Sequence, residues 1–224
     1  MKRPYYEAYE ERYRAVHEKG LRWAGEQPTP IVADVAARCC PEGASILELG
    51  CGEGRDARAM LILGYDLLAT DVSPEAIGFC RAEMPEHADR FRVLDCLRGD
   101  LSERFDMIYA VALVHMLVLD ADRRGLYRFV RAHLKPGGVG LICTMGDGET
   151  ELQSDVSTAF ELQERDHPAG RQLVAATSCR MVSFPTFLRE LAESGLAVIE
   201  RGFTSAEPDF NSLMYAVVRR GDTI

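Results

Sequence analysis

Three glycines at alternate positions, Gly50, Gly52 and Gly54, directly follow a short apolar segment at residues 45–49. Glycine adopts backbone conformations that are closed to other residues, and it lets a ligand lie against the main chain because it has no Cβ atom. In an open α/β sheet, such a turn at the carboxyl end of the first strand lies beside the crevice where ligands bind. The segment therefore predicts a ligand-binding turn between a buried strand and a helix.

The spacing of the glycines distinguishes between two classes of ligand. A dinucleotide-binding turn has the pattern Gly-x-Gly-x-x-Gly, in which the third glycine allows close helix–strand packing and the pyrophosphate lies at the helix N-terminus. Counted from Gly50, that third position is Arg55, which disfavours an NAD-linked oxidoreductase. An acidic strand residue, Glu48, followed by Gly-x-Gly-x-Gly fits a ligand without phosphates.

Carboxylates follow the next two predicted strands. Asp71 ends the second strand, 17 residues beyond Gly54, where a carboxylate can accept hydrogen bonds from both hydroxyls of a ribose. Asp95 and Cys96 end the third strand, within reach of an adenine ring if a nucleoside lies across the strand ends. Either aspartate could instead serve local structure alone, Asp71 by initiating a helix and Asp95 in a turn. The pattern predicts a nucleoside site, with these alternatives open.

The elements that must position these residues alternate along the chain. Short apolar segments predict strands, and segments of helical period lie between them. The predicted strands are residues 45–49, 66–70, 91–94, 106–111 and 139–143, and the predicted helices are residues 55–63, 74–84 and 122–134. Such alternation is typical of a parallel sheet with helices on both faces.

The two ends of the chain depart from this alternation. Helices are expected at residues 5–19 and from Thr29 onward, and a helix at 183–194 precedes two last strands with no helix between them. The predicted fold is therefore α/β: a single-domain, Rossmann-like doubly wound sheet, mostly parallel with an antiparallel last strand. The one domain, 1–224, comprises N-terminal helices (1–44), a cofactor-binding core (45–143), an inserted lid (144–182) and a C-terminal helix with a strand pair (183–224).

Four motifs in this core, in chain order, resemble the successive signatures of class I S-adenosylmethionine-dependent methyltransferases. They are Glu48-Leu49-Gly50-Cys51-Gly52-Glu53-Gly54, Ala69-Thr70-Asp71-Val72-Ser73, Phe105-Asp106-Met107-Ile108 and Leu134-Lys135-Pro136-Gly137-Gly138. The stretches Gly54-Arg55-Asp56 and Gly64-Tyr65-Asp66 are most similar to the branch that contains tellurite-resistance and thiopurine methyltransferases. The resemblance implies an enzyme that uses S-adenosylmethionine to methylate a small-molecule acceptor by in-line transfer.

The resemblance also implies how the cofactor is bound. Its methionine part would lie near the glycine turn, its ribose on Asp71, and its adenine between Val72 and the pair Asp95-Cys96. Residues 111–115 would border the reacting centre, and Tyr13 would close over the cofactor. The expected cofactor-binding residues are Tyr13, Glu48, Gly50, Cys51, Gly52, Gly54, Asp71, Val72, Asp95, Cys96 and Val111.

His115 is the candidate general base. It follows the fourth predicted strand, and an imidazole titrates near neutral pH. The alternative is that His115 packs within the apolar run at residues 112–119. His17, His87 and His133 stand beside charged residues on predicted helices or loops and are expected to be solvated.

Residues 144–182, which we call the insertion segment, are longer than the connection usual between a strand and a helix. Apolar residues between 152 and 163 predict an amphipathic helix, and we interpret the segment as a lid over the acceptor pocket. Its seven acids favour either a cationic acceptor or a solvated helix face. The acids are Asp147, Glu149, Glu151, Asp155, Glu161, Glu164 and Asp166. With His167 they lack metal-ligand spacing, so no metal site is predicted.

The composition limits the remaining classes of function. A net charge of −9 argues against a nucleic-acid or anionic-membrane partner, because both need clustered cations. Seven scattered cysteines, no signal sequence and no apolar run of membrane-spanning length predict a cytoplasmic protein with reduced thiols. A non-catalytic S-adenosylmethionine- or nucleoside-binding protein stays open as an alternative, and the sequence does not identify the oligomeric state.

Overall fold

The computed structural model describes residues 3–206 and 210–221. Eleven strands are found in these ranges: β1 (Ser45–Leu49), β2 (Asp66–Asp71), β3 (Phe91–Val93), β4 (Phe105–Val111), β5 (Leu134–Met145), β6 (Leu152–Gln153), β7 (Leu162–Arg165), β8 (Gln172–Ala175), β9 (Arg180–Met181), β10 (Leu196–Ala206) and β11 (Phe210–Arg220). The α-helices in the same ranges are α1 (Ala8–His17), α2 (Pro30–Cys39), α3 (Arg55–Ile62), α4 (Pro74–Glu83), α5 (Asp120–His133) and α6 (Phe184–Glu193).

Seven strands form the central sheet, in the order β10-β11-β5-β4-β1-β2-β3. The strands β1 to β5 pair in parallel, and β11 is antiparallel to both β5 and β10. The chain runs from β1 outward to β3 and then returns to the other side of β1 with β4. This reversal opens a crevice between the carboxyl ends of β1 and β4. The predicted mostly parallel, Rossmann-like sheet with an antiparallel last strand is confirmed.

Alternating residues of the central strands pack into two apolar layers, one on each face of the sheet. On β1, Leu47 and Leu49 pack into the layer covered by α5 and α6, whereas Ile46 packs into the layer covered by α2, α3 and α4. On β4, Ile108 and Met107 divide between the layers in the same way. Helices on both faces explain why these strands read as nearly continuous apolar runs.

The predicted helix ends are found within a few residues. Ser73 caps α4, since its hydroxyl accepts a hydrogen bond from the amide of Ala76 at 3.0 Å. The start of α2 after Thr29 was predicted, but the expected capping bond is absent. The Thr29 hydroxyl instead donates to Asp56 Oδ2 at 3.1 Å and so ties α2 to the start of α3.

The predicted amphipathic helix in the insertion segment is wrong. Its residues form two small antiparallel sheets, β6 with β9 and β7 with β8, and a single 3₁₀ turn at Val156–Thr158. Leu152, expected on the apolar helix face, is 47% exposed. A continuous helix is interrupted at Asp155, which has an extended backbone. Its side chain accepts the amide of Ser157 and starts a tight turn.

A buried ion pair joins α5 to α6 behind the crevice. The side chain of Arg123 is fully buried, and its Nε and Nη2 atoms donate to the Glu190 carboxylate at 3.0 and 2.7 Å. The hydroxyl of Tyr127 donates to the same carboxylate at 2.9 Å. Arg123 Nη1 donates to the carbonyl of Val114 at 2.9 Å, which fixes the turn that follows β4.

Replacing Glu190 with leucine should lower the free energy of unfolding by about 3–5 kcal/mol, because it leaves the buried Arg123 without its carboxylate. Urea denaturation measures the change. Glu193→Leu, on an exposed position of the same helix, should change stability by less than about 0.5 kcal/mol. Equal effects of the two variants would contradict the proposed importance of the ion pair.

Candidate cofactor and acceptor site

The glycine turn between β1 and α3 has a backbone that glycine alone adopts readily. Gly50, Gly52 and Gly54 have φ angles of 73°, 52° and 79°, all in the left-handed region. The amides of Gly50 and Cys51 both donate to the carbonyl oxygen of Thr70 at the end of β2, at 2.8 and 2.9 Å. The neighbouring strand therefore fixes the shape of the turn.

The three glycines make room for different neighbours. A Cβ atom on Gly50 would lie 2.9 Å from Leu113 Cδ1, and one on Gly52 would lie 2.7 Å from Tyr13 Oη. A Cβ on Gly54 would instead meet packed side chains behind the turn at 2.8 Å. Gly54, predicted to bind cofactor, lines neither of the two cavities beside the turn. Its lack of a side chain serves packing.

Two cavities meet at this turn. The narrow one, about 60 Å³, lies across the carboxyl ends of β1 and β2 and the segment after β3. The wide one, about 680 Å³, extends from the turn to the insertion segment. Five residues line both cavities: Tyr9, Tyr13, Gly50, Ala112 and Met116. A ligand that occupies the narrow cavity and reaches past these residues would present its end to the wide one.

The narrow cavity gathers the residues predicted to hold a nucleoside. Asp71, Val72, Asp95 and Cys96 all lie along it. Tyr6, Tyr9 and Tyr13 of the N-terminal region also line it. Tyr13 was predicted from the resemblance, whereas Tyr6 and Tyr9 were not. The helical spacing of these tyrosines was visible in the sequence, but it is equally typical of a helix that packs on an apolar core.

Asp71 is fixed by two backbone amides. Its Oδ2 accepts from Gly52 N and its Oδ1 from Ser73 N, both at 2.9 Å. Burial raises the pKa of Asp71, and these bonds act in the opposite direction. Each carboxylate oxygen has a further lone pair. Asp71 therefore both helps to start α4 and retains the capacity to accept hydrogen bonds from a ribose.

Asp95 also combines the two roles considered from the sequence. Its Oδ1 accepts the amide of Leu97 at 2.9 Å, which is ordinary turn chemistry. Its Oδ2 accepts the hydroxyl of Tyr6 at 2.9 Å. This bond joins Tyr6, in the 3₁₀ turn that precedes α1, to Asp95 in the lining of the narrow cavity.

Glu48 supplies a buried carboxylate to the wide cavity. It is 3% exposed, and no described residue makes a hydrogen bond to its Oε2 atom. Burial, and then the nearby charge of Asp56, raise the pKa of Glu48 well above its usual value. Such a carboxylate suits a ligand that brings a positive charge, such as an ammonium or a sulfonium. Cys51, Gly52 and Val111, also predicted, line the same cavity.

His115 lies in the wall of the wide cavity as predicted, but burial limits its chemistry. It is 4% exposed, and its Nδ1 accepts from the amide of Met145 at 3.4 Å. Burial, together with the charge of Arg123, lowers the pKa of His115 to about 3. The imidazole is therefore neutral at physiological pH and is a weak base.

The backbone is strained three residues before His115. Ala112 has a φ of 54°, and strained backbone of this kind clusters at functional sites.

Two histidines expected to be solvated are buried instead. His133 is 5% exposed, and its Nδ1 lies 2.8 Å from the carbonyl oxygen of Phe129. The side chain of His17 is 8% exposed and lies between two carboxylates, 2.8 Å from Glu53 and 2.9 Å from Glu75. Charged neighbours in the sequence suggested solvent, whereas these helices face other elements of the fold.

Glu53 and His17 fasten the N-terminal region to the glycine turn. Glu53 accepts the amides of Trp23 and Ala24 at 2.8 and 2.7 Å, in addition to its contact with His17. The two carboxylates beside His17 outweigh its burial, so the pKa of His17 is raised. His17, between two carboxylates, holds α1 beside the turn, where the Tyr13 hydroxyl approaches Gly52.

Most of the acids of the insertion segment lie away from the cavities. Only Asp166 among the seven lines the wide cavity. Asp147 accepts amides of its own turn, and Glu151 accepts the hydroxyls of Ser183 and Thr186. These positions favour solvated and turn-forming roles over selection of a cationic acceptor.

Residues 3–206 and 210–221 contain no cluster of three or more potential metal-ligating side chains. Within the same ranges, no helix combines the length and the apolar character that a membrane span requires.

Comparison with known proteins bears on the glycine-turn half of the chain. Residues 47–139 match a family model described as a methyltransferase domain. A ubiquinone biosynthesis O-methyltransferase of Xanthomonas campestris is 32% identical over 121 residues, which cover 52% of this chain and 49% of that protein. Hemagglutinin 1 of Eikenella corrodens is 34% identical over 107 residues, covering 45% of this chain and 34% of its own. The chain thus spans half or less of the length of these curated relatives.

A solved structure matches over most of its length. The glycopeptide N-methyltransferase MtfA, crystallised with S-adenosylmethionine, is 26% identical with a TM-score of 0.65, and the match covers 89% of this chain and 97% of that one. The predicted methyltransferase domain is confirmed over residues 47–139, and S-adenosylmethionine is the ligand of the matching MtfA structure. The closer likeness to tellurite-resistance and thiopurine methyltransferases stays a prediction.

The raised pKa of His17 makes the stability of the folded chain depend on pH. The folded pKa lies above the ordinary value of 6.5, so the stabilisation is fully present below that pH and is lost as the pH rises through the folded pKa. Wild type should therefore be more stable than His17→Gln at about pH 6, and the difference should shrink at about pH 9. Urea denaturation at both values measures it. The same comparison with His87→Gln, at a partly exposed histidine, should show no such narrowing.

Proposed function

We propose that this chain is a class I methyltransferase that binds S-adenosylmethionine and transfers its methyl group to a small-molecule acceptor in the wide cavity. The observation that carries the proposal is the meeting of the two cavities at Tyr9, Tyr13, Gly50, Ala112 and Met116. A nucleoside in the narrow cavity would place the rest of the cofactor at this boundary. The acceptor would approach from the other side.

The residues of the narrow cavity suit the cofactor. Asp71 would accept the ribose hydroxyls, and Val72 with Cys96 would border the adenine. Glu48, with its unpartnered Oε2, would face the positive charge of the cofactor. When bound, S-adenosylmethionine supplies a methyl group on a sulfonium, a leaving group already activated by its charge. The chain's own residues therefore have mainly to align the two reactants and exclude water.

His115 has a narrower role in this proposal than general base catalysis. A group with a pKa of about 3 draws a proton weakly, although it is always in its unprotonated form at neutral pH. We place it as a neutral imidazole that orients the acceptor by hydrogen bonding. The acceptor atom then needs a lone pair of its own.

The insertion segment forms the outer wall of the acceptor cavity, and we propose that it acts as the lid. Arg165, His167 and Thr177 are among its residues that line the wide cavity. A volume of about 680 Å³ lies in the range of pockets that enclose drug-sized molecules. The names of the relatives, a ubiquinone biosynthesis O-methyltransferase and a glycopeptide N-methyltransferase, support a small acceptor and leave its reacting atom open.

Asp71→Ala should weaken the binding of S-adenosylmethionine and S-adenosylhomocysteine alike, because both carry the ribose. Charge-assisted hydrogen bonds contribute about 1.5–3 kcal/mol each, so a loss of about tenfold or more is expected in calorimetry. Asp66→Ala, at the exposed start of the same strand, is the matched control and should bind normally. Unchanged affinity in Asp71→Ala would remove the ribose assignment.

Shortening the β7–β8 hairpin separates the roles of lid and cofactor site. Residues 164–173 would be replaced by Asn-Gly, which keeps Ala175 and Thr177 at their contacts with α1. Affinity for S-adenosylhomocysteine should stay within about threefold, because the strand ends build that site. Methyl transfer should fall by about tenfold or more, because water would enter the acceptor cavity.

The transfer itself is measured with methyl-labelled S-adenosylmethionine and a low-molecular-mass cell extract, followed by mass spectrometry of labelled products. Label in a small molecule, lost in Asp71→Ala, supports the proposed function. Label that appears only in protein or nucleic acid would overturn the small-acceptor proposal. Cofactor binding without any transfer would favour the alternative, a non-catalytic binding protein.

A further inference from the structure

Two arginines converge on one wall of the wide cavity. Arg12 of α1 and Arg165 of β7 both line the cavity, and their Nη2 atoms donate to the same carbonyl oxygen, that of Ala176, at 2.8 and 3.2 Å. A shared acceptor atom brings the two guanidinium groups close together. The two positive charges repel each other, which destabilises the folded protein unless a negative charge lies nearby.

No carboxylate of the described residues pairs with either arginine. Arg12 is 7% exposed, and its hydrogen bonds go to Ala175 O, Ala176 O and Thr177 Oγ1. The bonds involve Nε and Nη2, which leaves Nη1 for a ligand. Burial, with the charge of Arg165 acting in the same direction, lowers the pKa of Arg12. A buried arginine with only neutral oxygen partners is costly unless an anion completes it.

The other ionisable groups on this wall do not neutralise the pair. Asp166 has a side chain that is 94% exposed and lies 3.5 Å from Arg171. His167 accepts the amide of Ala169 at Nδ1, 3.1 Å, and its Nε2 lies 2.6 Å from the carbonyl of Arg22. His167 is thus held by backbone groups and supplies no carboxylate to the pair. The remaining acids of the cavity, Glu48, Glu53 and Asp56, lie beside the glycine turn or α3.

Aromatic rings hold the buried arginine in place. The Arg12 guanidinium lies 4.6 Å from the centre of the Trp23 ring and 5.1 Å from that of Tyr9. Both rings also line the wide cavity. Rings at these distances orient the guanidinium, and its remaining Nη1 atom can donate a charge-assisted hydrogen bond to a carboxylate.

We propose that Arg12 and Arg165 form a carboxylate-binding subsite, and that the methyl acceptor carries a carboxylate that they bind. That the bound acid is the methyl acceptor rests on the proposed function. The carboxylate-binding subsite itself is inferred from the geometry alone. It opposes the cationic acceptor considered from the sequence. The S-adenosylmethionine molecule also has a carboxylate, and the position of the pair on the insertion wall favours the acceptor as the source.

Calorimetry on the protein saturated with S-adenosylhomocysteine tests the subsite. The probes are 4-hydroxybenzoate and its neutral isostere 4-hydroxybenzamide. The acid should bind about tenfold or more tightly than the amide, and Arg165→Gln should remove about that factor for the acid alone. Added salt should weaken the acid more than the amide. Arg171→Gln, a highly exposed arginine next to β8 that does not line the cavity, is the matched control and should bind both as wild type does.

The second arm identifies the source of the carboxylate. S-adenosylhomocysteine and 5′-methylthioadenosine, which lacks the amino-acid part, are titrated into the free protein. Arg165→Gln should leave both affinities within about twofold. A loss for S-adenosylhomocysteine alone would assign the pair to the cofactor and overturn the acceptor proposal.

The remaining outcomes are also decisive. Equal binding of acid and amide, or no binding of the acid, would overturn the subsite. Acid binding that depends on Arg165, in a protein that transfers no methyl group, would leave the subsite standing and reject the proposed function. Arg12→Gln should repeat the loss for the acid, and a thermal melt shows whether that variant is folded, since Arg12 also supports the backbone at residues 175–177.

Discussion

Hydrogen bonds from the glycine turn to the end of β2 fix the conformation of the turn, and the rest of the site depends on them. Two amides of the turn share the carbonyl oxygen of Thr70, and a third donates to the carboxylate of Asp71. Because these two residues are adjacent, the strand fixes both the path of the turn and the position of the predicted ribose ligand. Every other wall of the two cavities is placed relative to this corner of the sheet.

The N-terminal helix is the second organising element, and polar contacts dock it. His17 joins Glu53 at the glycine turn to Glu75 at the start of α4, while Tyr6 bonds Asp95 across the narrow cavity. On its other side, Arg12 holds the insertion segment by backbone carbonyls. Residues of this one short helix therefore line both the narrow and the wide cavity, and Tyr13 lies at the boundary between the two.

The sequence predicted the parts of the fold that depend on local pattern. The strands, the glycine turn and the placement of Asp71, Val72, Asp95 and Cys96 along one cavity follow from strand ends meeting at one edge of a parallel sheet. The insertion segment was predicted as a helix, because Leu152 and its apolar neighbours fit a helical period that tertiary contacts override. Nothing local could show that Arg12 meets residues more than 160 positions away.

Acidic side chains line the wide cavity beside the glycine turn, and Arg12 with Arg165 line it at the insertion segment. The acidic residues lie on a central strand, its turn and the helix that follows, whereas Arg165 lies on a surface hairpin whose strand β7 is exposed throughout. Exposed connections tolerate sequence change better than the elements they join. A change confined to this hairpin would therefore alter one wall of the wide cavity and leave the strand ends that border the narrow cavity as they are.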